Sequence, residues 1–124
     1  MYPLANRNIG DVERMVVNHS VQINTTSKCN TGSAAVRWYP IRGMAGTPGA
    51  FQQGTYSPDT NFRWTGGVAM DKQGNMAAGY SVSSSATQPA LVLATRLAAG
   101  APGTLAAESL IVQGGGAQLS NLSR

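Results

Sequence analysis

Glycine, proline and turn-forming polar residues interrupt this chain so often that no run is left for a stable helix. The best helical stretch, Leu97–Ala107, is broken by Gly100, Pro102 and Gly103. What survives between the interruptions has strand character. Seven runs qualify: Arg14–Asn24, Ala34–Arg42, Ala50–Tyr56, Arg63–Asp71, Asn75–Ser83, Ala90–Leu97 and Leu105–Gln113. Their connections carry turn chemistry. Asp71-Lys72-Gln73-Gly74-Asn75 reads as a tight hairpin, with the Asp71 side chain bonding the turn and Gly74 free to take a positive φ. Gly43–Gly49 is a longer loop, and Ser57–Asn61 a turn cluster. Short strands joined in this way predict an all-β meander of antiparallel strands.

Face patterns refine the expectation. In Ala90–Leu97, Leu91, Leu93 and Leu97 share one face while Val92 and Ala94 share the other, which predicts a strand covered on both sides. Val68–Met70 and Met76–Ala78 are small and apolar, suited to close approach of two sheets. Gly66-Gly67 inside a strand predicts a bulge or tight backbone packing. Pro40 removes one ladder donor and predicts an open edge beside it. A weak repeat relates Arg14–Tyr56 to Arg63–Gln113, with a long insertion at Thr25–Ser33 where the second unit has its tight turn. Two units of this size fit blade-sized repeats.

At 124 residues the chain is one domain or less. Charged residues make up 11% of it, against about 25% in typical soluble domains, and small polar residues fill the difference. The net charge is +4, and the seven arginines, at 7, 14, 37, 42, 63, 96 and 124, are scattered singly. Without a basic run no nucleic-acid partner is expected, and each arginine is expected to pair with carbonyls or sheet edges. Cys29 is the one cysteine, in a loop-like stretch, so no intrachain disulfide and no thiolate metal site follow. No cofactor is indicated. Met1–Asn6 lacks the apolar core of a signal peptide, and no segment approaches the roughly 18 apolar residues of a membrane span.

Several motifs resemble a group of large bacterial exported proteins that have no assigned activity and form a sialidase-like β-propeller. They are Met1-Tyr2 to Gly10-Asp11, Val16–Val21, Val36–Arg42, Gln52–Asp59, Arg63-Trp64, Ala69–Lys72, Gly74-Asn75 and Gly79–Ser85. The likeness covers nearly the whole chain. Pro40 stands where that family has Glu, and Thr65-Gly66-Gly67 where it has a Met-Gly-Ser-like run. The resemblance implies about two four-stranded blades: residues 1–11 a leading strand, 12–61 a first blade and 62–124 a second. Ser123-Arg124 resembles the pair that leads into the next blade, so the expectation is a piece of a larger propeller, completed by the rest of it or by further copies. It also implies a secreted or cell-surface parent.

Candidate functional residues are few. His19 is the sole histidine; its neighbours Asn18 and Ser20 point to the opposite face of a strand and cannot orient it. On an innermost strand, His19 or Asn18 would line a central channel. Arg63 and Trp64 are candidate ligand contacts, with structural stacking between blades the plainer reading. Sialidases hold a carboxylate with an arginine cluster and use a tyrosine nucleophile. Arg63, Arg96 and Tyr80 have that chemistry, but their spacing brings none of them together. The five acids, Asp11, Glu13, Asp59, Asp71 and Glu108, form no evident glycosidase pair, and Asp71 reads as a turn cap. Asn18, Asn24 and Asn121 open glycosylation-type triplets that are read as chance. The expected function is a non-catalytic structural or binding module for a glycan or protein. The alternative is a sialidase-like glycosidase, incomplete in this chain.

Overall fold

In the computed structural model, which describes residues 4–23 and 32–117, the chain first reverses at Gly10-Asp11. Both residues take positive φ, 56° and 62°, as in the mirror-image turns that match strand twist. The turn joins β1 (Ala5–Ile9) to β2 (Val12–Ile23). β2 pairs with β3 (Ser33–Arg42), which pairs in turn with two short pieces, β4 (Gly49–Ala50) and β5 (Gly54–Tyr56). The break between those pieces falls beside Pro40: β4 holds Ile41 and Arg42, and β5 holds Val36 to Trp38. The edge expected to be open at Pro40 is therefore broken there.

A second sheet follows in simple order: β6 (Phe62–Met70), β7 (Met76–Ser83), β8 (Ala90–Arg96) and β9 (Ser109–Gln113). All its pairs are antiparallel. The β6–β7 turn is built as read from sequence. Asp71 Oδ1 accepts from the Gln73 and Asn75 amides at 2.8 and 2.9 Å, and Gly74 has φ +88°. The bulge expected at Gly66-Gly67 is present as a register shift between Trp64 and Gly67, with Thr65 at φ +49°. The last run is shorter than expected, because only Ser109–Gln113 pairs.

The two sheets face each other across one core. Val16, Asn18, Val36 and Trp38 from the first meet Val68, Met70, Met76, Ala78, Tyr80, Val92 and Ala94 from the second. Strand alternation supplies this face from each sheet, and each fully buried large side chain contributes about 1.5–3 kcal/mol. Gly66 permits the approach of β6, since a Cβ there would lie 2.6 Å from Asn18 Nδ2. The second cover expected for β8 is not supplied by the described residues: Val92 and Ala94 are buried, but Leu91 is 42% and Leu97 69% exposed. The architecture is thus all-β, two antiparallel sheets stacked face to face, with no helix among the described residues. Cys29, the triplets at Asn24 and Asn121, and Ser123-Arg124 lie outside the described residues.

Candidate functional site

The strand registers assemble arginines that look scattered in sequence. Arg7 on β1 is the cross-strand partner of Arg14 on β2. One step beyond the Met15–Ile41 pair, Arg14 meets Arg42 on β3. Three like charges therefore stand in one row on the core-facing side of the first sheet, an arrangement that costs stability when nothing neutralises it. A fourth, Arg96, closes β8 on the facing sheet, opposite Met76.

Arg14, Arg42 and Arg96 share a cavity of about 450 Å³ at this end of the stacked sheets, with Pro40, Phe51, Met70, Gly74 and the 98–102 loop. No acidic residue lines it. Arg96 is held by carbonyls, its Nη2 donating to Gly100 O at 2.8 Å and its Nε to Ala101 O at 3.3 Å, so its charge stays uncompensated. The Nε atoms of Arg14 and Arg42 are buried with no hydrogen-bond partner. A buried donor left in that state costs about 1–3 kcal/mol. Arg42 also stacks on Phe51, 3.2 Å from the ring centre. Burial, and then the Arg14 charge, pull its guanidinium below the usual arginine value. Asp71, in the adjoining cavity beside Arg7 and Arg96, spends its carboxylate on Gln73 and Asn75 of its own turn. The arrangement can do one thing chemically: take up an anion and satisfy the orphan donors with charge-assisted bonds.

The residues singled out from sequence go to different places. Asn18 lies between the sheets, 1% exposed, on an interior strand rather than at the edge of its sheet. His19 points to the opposite, outer face, stacked on Tyr39 with Nε2 3.0 Å from the Tyr39 hydroxyl. Arg37 crosses the same Tyr39 ring and is held by Gln53 and Thr55. Trp64 is on the outer face of the second sheet, 37% exposed.

Arg63 is fully buried and forms a network that sequence spacing does not reveal. It binds Glu108 through two bonds, Nε–Oε1 at 2.7 Å and Nη2–Oε2 at 3.1 Å, and Asp59 Oδ1 at 2.8 Å. Tyr80 donates to the same Glu108 Oε1 at 2.9 Å. Arg63 and Tyr80 are thus brought together after all, by Glu108, while Arg96 is in the other cluster. The bond from Arg63 holds the Asp59 carboxyl below its ordinary range. Burial, then the bond to Glu108, push the Tyr80 phenol well above its usual value, and burial moves Tyr56 the same way.

A phenol whose folded-state pKa exceeds its unfolded value of about 10 keeps its proton longer in the native state. Its stabilising contribution is complete below about pH 10 and is lost as pH rises from there towards the folded value. The urea midpoint should hold to about pH 10 and then fall. Tyr80→Phe should flatten that fall while costing about 1–2 kcal/mol at neutral pH. A wild-type midpoint that stays level to about pH 11 would contradict this assignment.

No protein-family model, curated protein or solved structure matches this chain.

Proposed function

We propose that the chain is a non-catalytic binding module that seats an anionic group (carboxylate, sulfate or phosphate ester) in the Arg14–Arg42–Arg96 cavity. An acidic glycan is the ligand class that suits the expected exported context. The observation that carries the reading is a set of like charges held together around 450 Å³ with no acid in the lining and two buried guanidinium donors unpartnered. An anion about 4 Å from one such charge gains roughly 4 kcal/mol before desolvation, at an effective dielectric of 20.

Two stacked antiparallel sheets, the first with its outermost strand broken into β4 and β5, are also what neighbouring propeller blades would supply. In that reading, further blades or further copies of the chain pack on the outer face of the second sheet, where Leu91 stands exposed. The glycosidase alternative receives less support. The arginine cavity offers no carboxylate to act as acid or base, and Glu108 is already committed to Arg63 and Tyr80.

Thermal melting with sodium sulfate, phosphate or galacturonate, against sodium chloride at matched ionic strength, tests the proposal. At an anion concentration about 100 times Kd the gain is about 2.7 kcal/mol, or about 10 °C in Tm. Arg14→Gln and Arg42→Gln should each remove the increment. Without anion both should melt at or above wild type, because like-charge repulsion is relieved. Equal melting in sulfate and chloride would sink the proposal. Turnover of 4-methylumbelliferyl glycosides, abolished by one Asp or Arg substitution, would favour the glycosidase.

A further inference from the structure

At the opposite end of the second sheet from the arginines, Trp64 and the loop between β7 and β8 form a separate cavity of about 490 Å³. Among the described residues its lining is Trp64, Ser83 to Pro89 and Ala117, none of them charged. The loop is organised by its own backbone. Ser84 and Thr87 exchange amide–carbonyl bonds at 3.0 and 3.4 Å, and Pro89 O accepts from the Gly114 amide at 2.7 Å. The Ser84 hydroxyl is spent on the Ala86 amide. The side chains of Ser85, Thr87 and Gln88 take no part in those bonds. Trp64 Nε1 donates to Ser83 Oγ at 3.2 Å, which pins the indole by its edge, and 37% of the residue stays exposed.

We infer that this cavity is a binding site for a neutral saccharide, distinct from the anion site. A pyranose ring presents a face of weakly positive C–H bonds and a rim of hydroxyls. An indole face carries the complementary negative quadrupole. Hydroxyl and amide side chains can both donate to and accept from the rim. A pre-ordered loop lowers the entropy lost on binding. The absence of charge from the lining selects a neutral sugar unit over an acidic one.

The chain reports on this site directly, because its other tryptophan, Trp38, is fully buried. Iodide should therefore quench Trp64 alone. Neutral oligosaccharides of glucose, galactose and N-acetylglucosamine, titrated against the whole chain, should protect Trp64 from iodide in a saturable way for at least one of them. Trp64→Phe should keep weaker binding, and Trp64→Ala should lower affinity about tenfold or more, followed by calorimetry since the reporter is gone. Ser85→Ala with Gln88→Ala should weaken binding while leaving the melting curve unchanged. Arg14→Gln should leave saccharide binding intact, so this site and the anion site fail independently. Absence of protection with every sugar, or binding retained in Trp64→Ala, would overturn the inference. So would a Trp64 already shielded from iodide in the free protein, because a second copy would then occupy that face.

Discussion

Glu108→Ala is expected to cost about 3–5 kcal/mol of folding stability, a large share of the roughly 5–15 kcal/mol that such domains possess. The reason lies in what remains. Arg63 is fully buried, and its Nε and Nη2 both donate to Glu108. Without that carboxylate, two charged donors and the Tyr80 hydroxyl lose their partner inside the sheet stack, and the remaining acid on Arg63, Asp59, has a side chain 47% exposed. The network is costly to break and much less costly to replace. Substituting Arg63, Glu108 and Tyr80 together by Met, Leu and Phe removes every group that would be stranded, and should restore stability to within about 1 kcal/mol of wild type. Urea unfolding of the single and triple variants measures both. A triple variant no better than Glu108→Ala would contradict this account of the cluster.

Gly54→Ala is the second large effect, about 3 kcal/mol or more. Gly54 lies where the edge of the first sheet meets the loop before β9. A Cβ there would run into the Gly103 carbonyl oxygen and lie 2.7 Å from two atoms of the Trp38 ring. Neither neighbour can yield easily. Trp38 is fully buried, and Gly103 is a backbone position at φ +75°, tied by its amide to Gln52 Oε1 at 3.2 Å. Gly67→Ala is the matched control. No atom lies within 4 Å of a Cβ at Gly67, so that change should be neutral or stabilising by about 0.5 kcal/mol. Denaturation midpoints that place Gly54→Ala within about 1 kcal/mol of wild type would mean that the junction is looser than described.

The strand plan was legible in the chain because its signals are local. Asp71 and Gly74 write their hairpin within five residues, Gly66-Gly67 mark the bulge, and Pro40 marks the broken edge. The Gly10-Asp11 turn was missed, though Gly before Asp between two short strands is a recognisable hairpin signal. The candidate site was not legible. Arg7, Arg14 and Arg42 converge through register, and register depends on which residues on neighbouring strands pair. The same holds for Glu108, 45 positions from Arg63, whose pairing arises only when the second sheet closes. Ala90–Leu97 shows the opposite error. Apolar residues on both faces predict two covers, but a sequence pattern does not say whether the second cover belongs to the same chain. Leu91 stands exposed on that face.

An anion seated among Arg14, Arg42 and Arg96 would be seen in the arginine Nε–Hε resonances of the folded protein during a sodium sulfate titration. The Arg14 and Arg42 signals, from donors that are buried and unpartnered, should move together and saturate. Arg63, whose Nε is already bonded to Glu108 at 2.7 Å, should stay in place. Arg14 and Arg42 signals that drift without saturating, no further than that of the surface residue Arg37, would contradict the account.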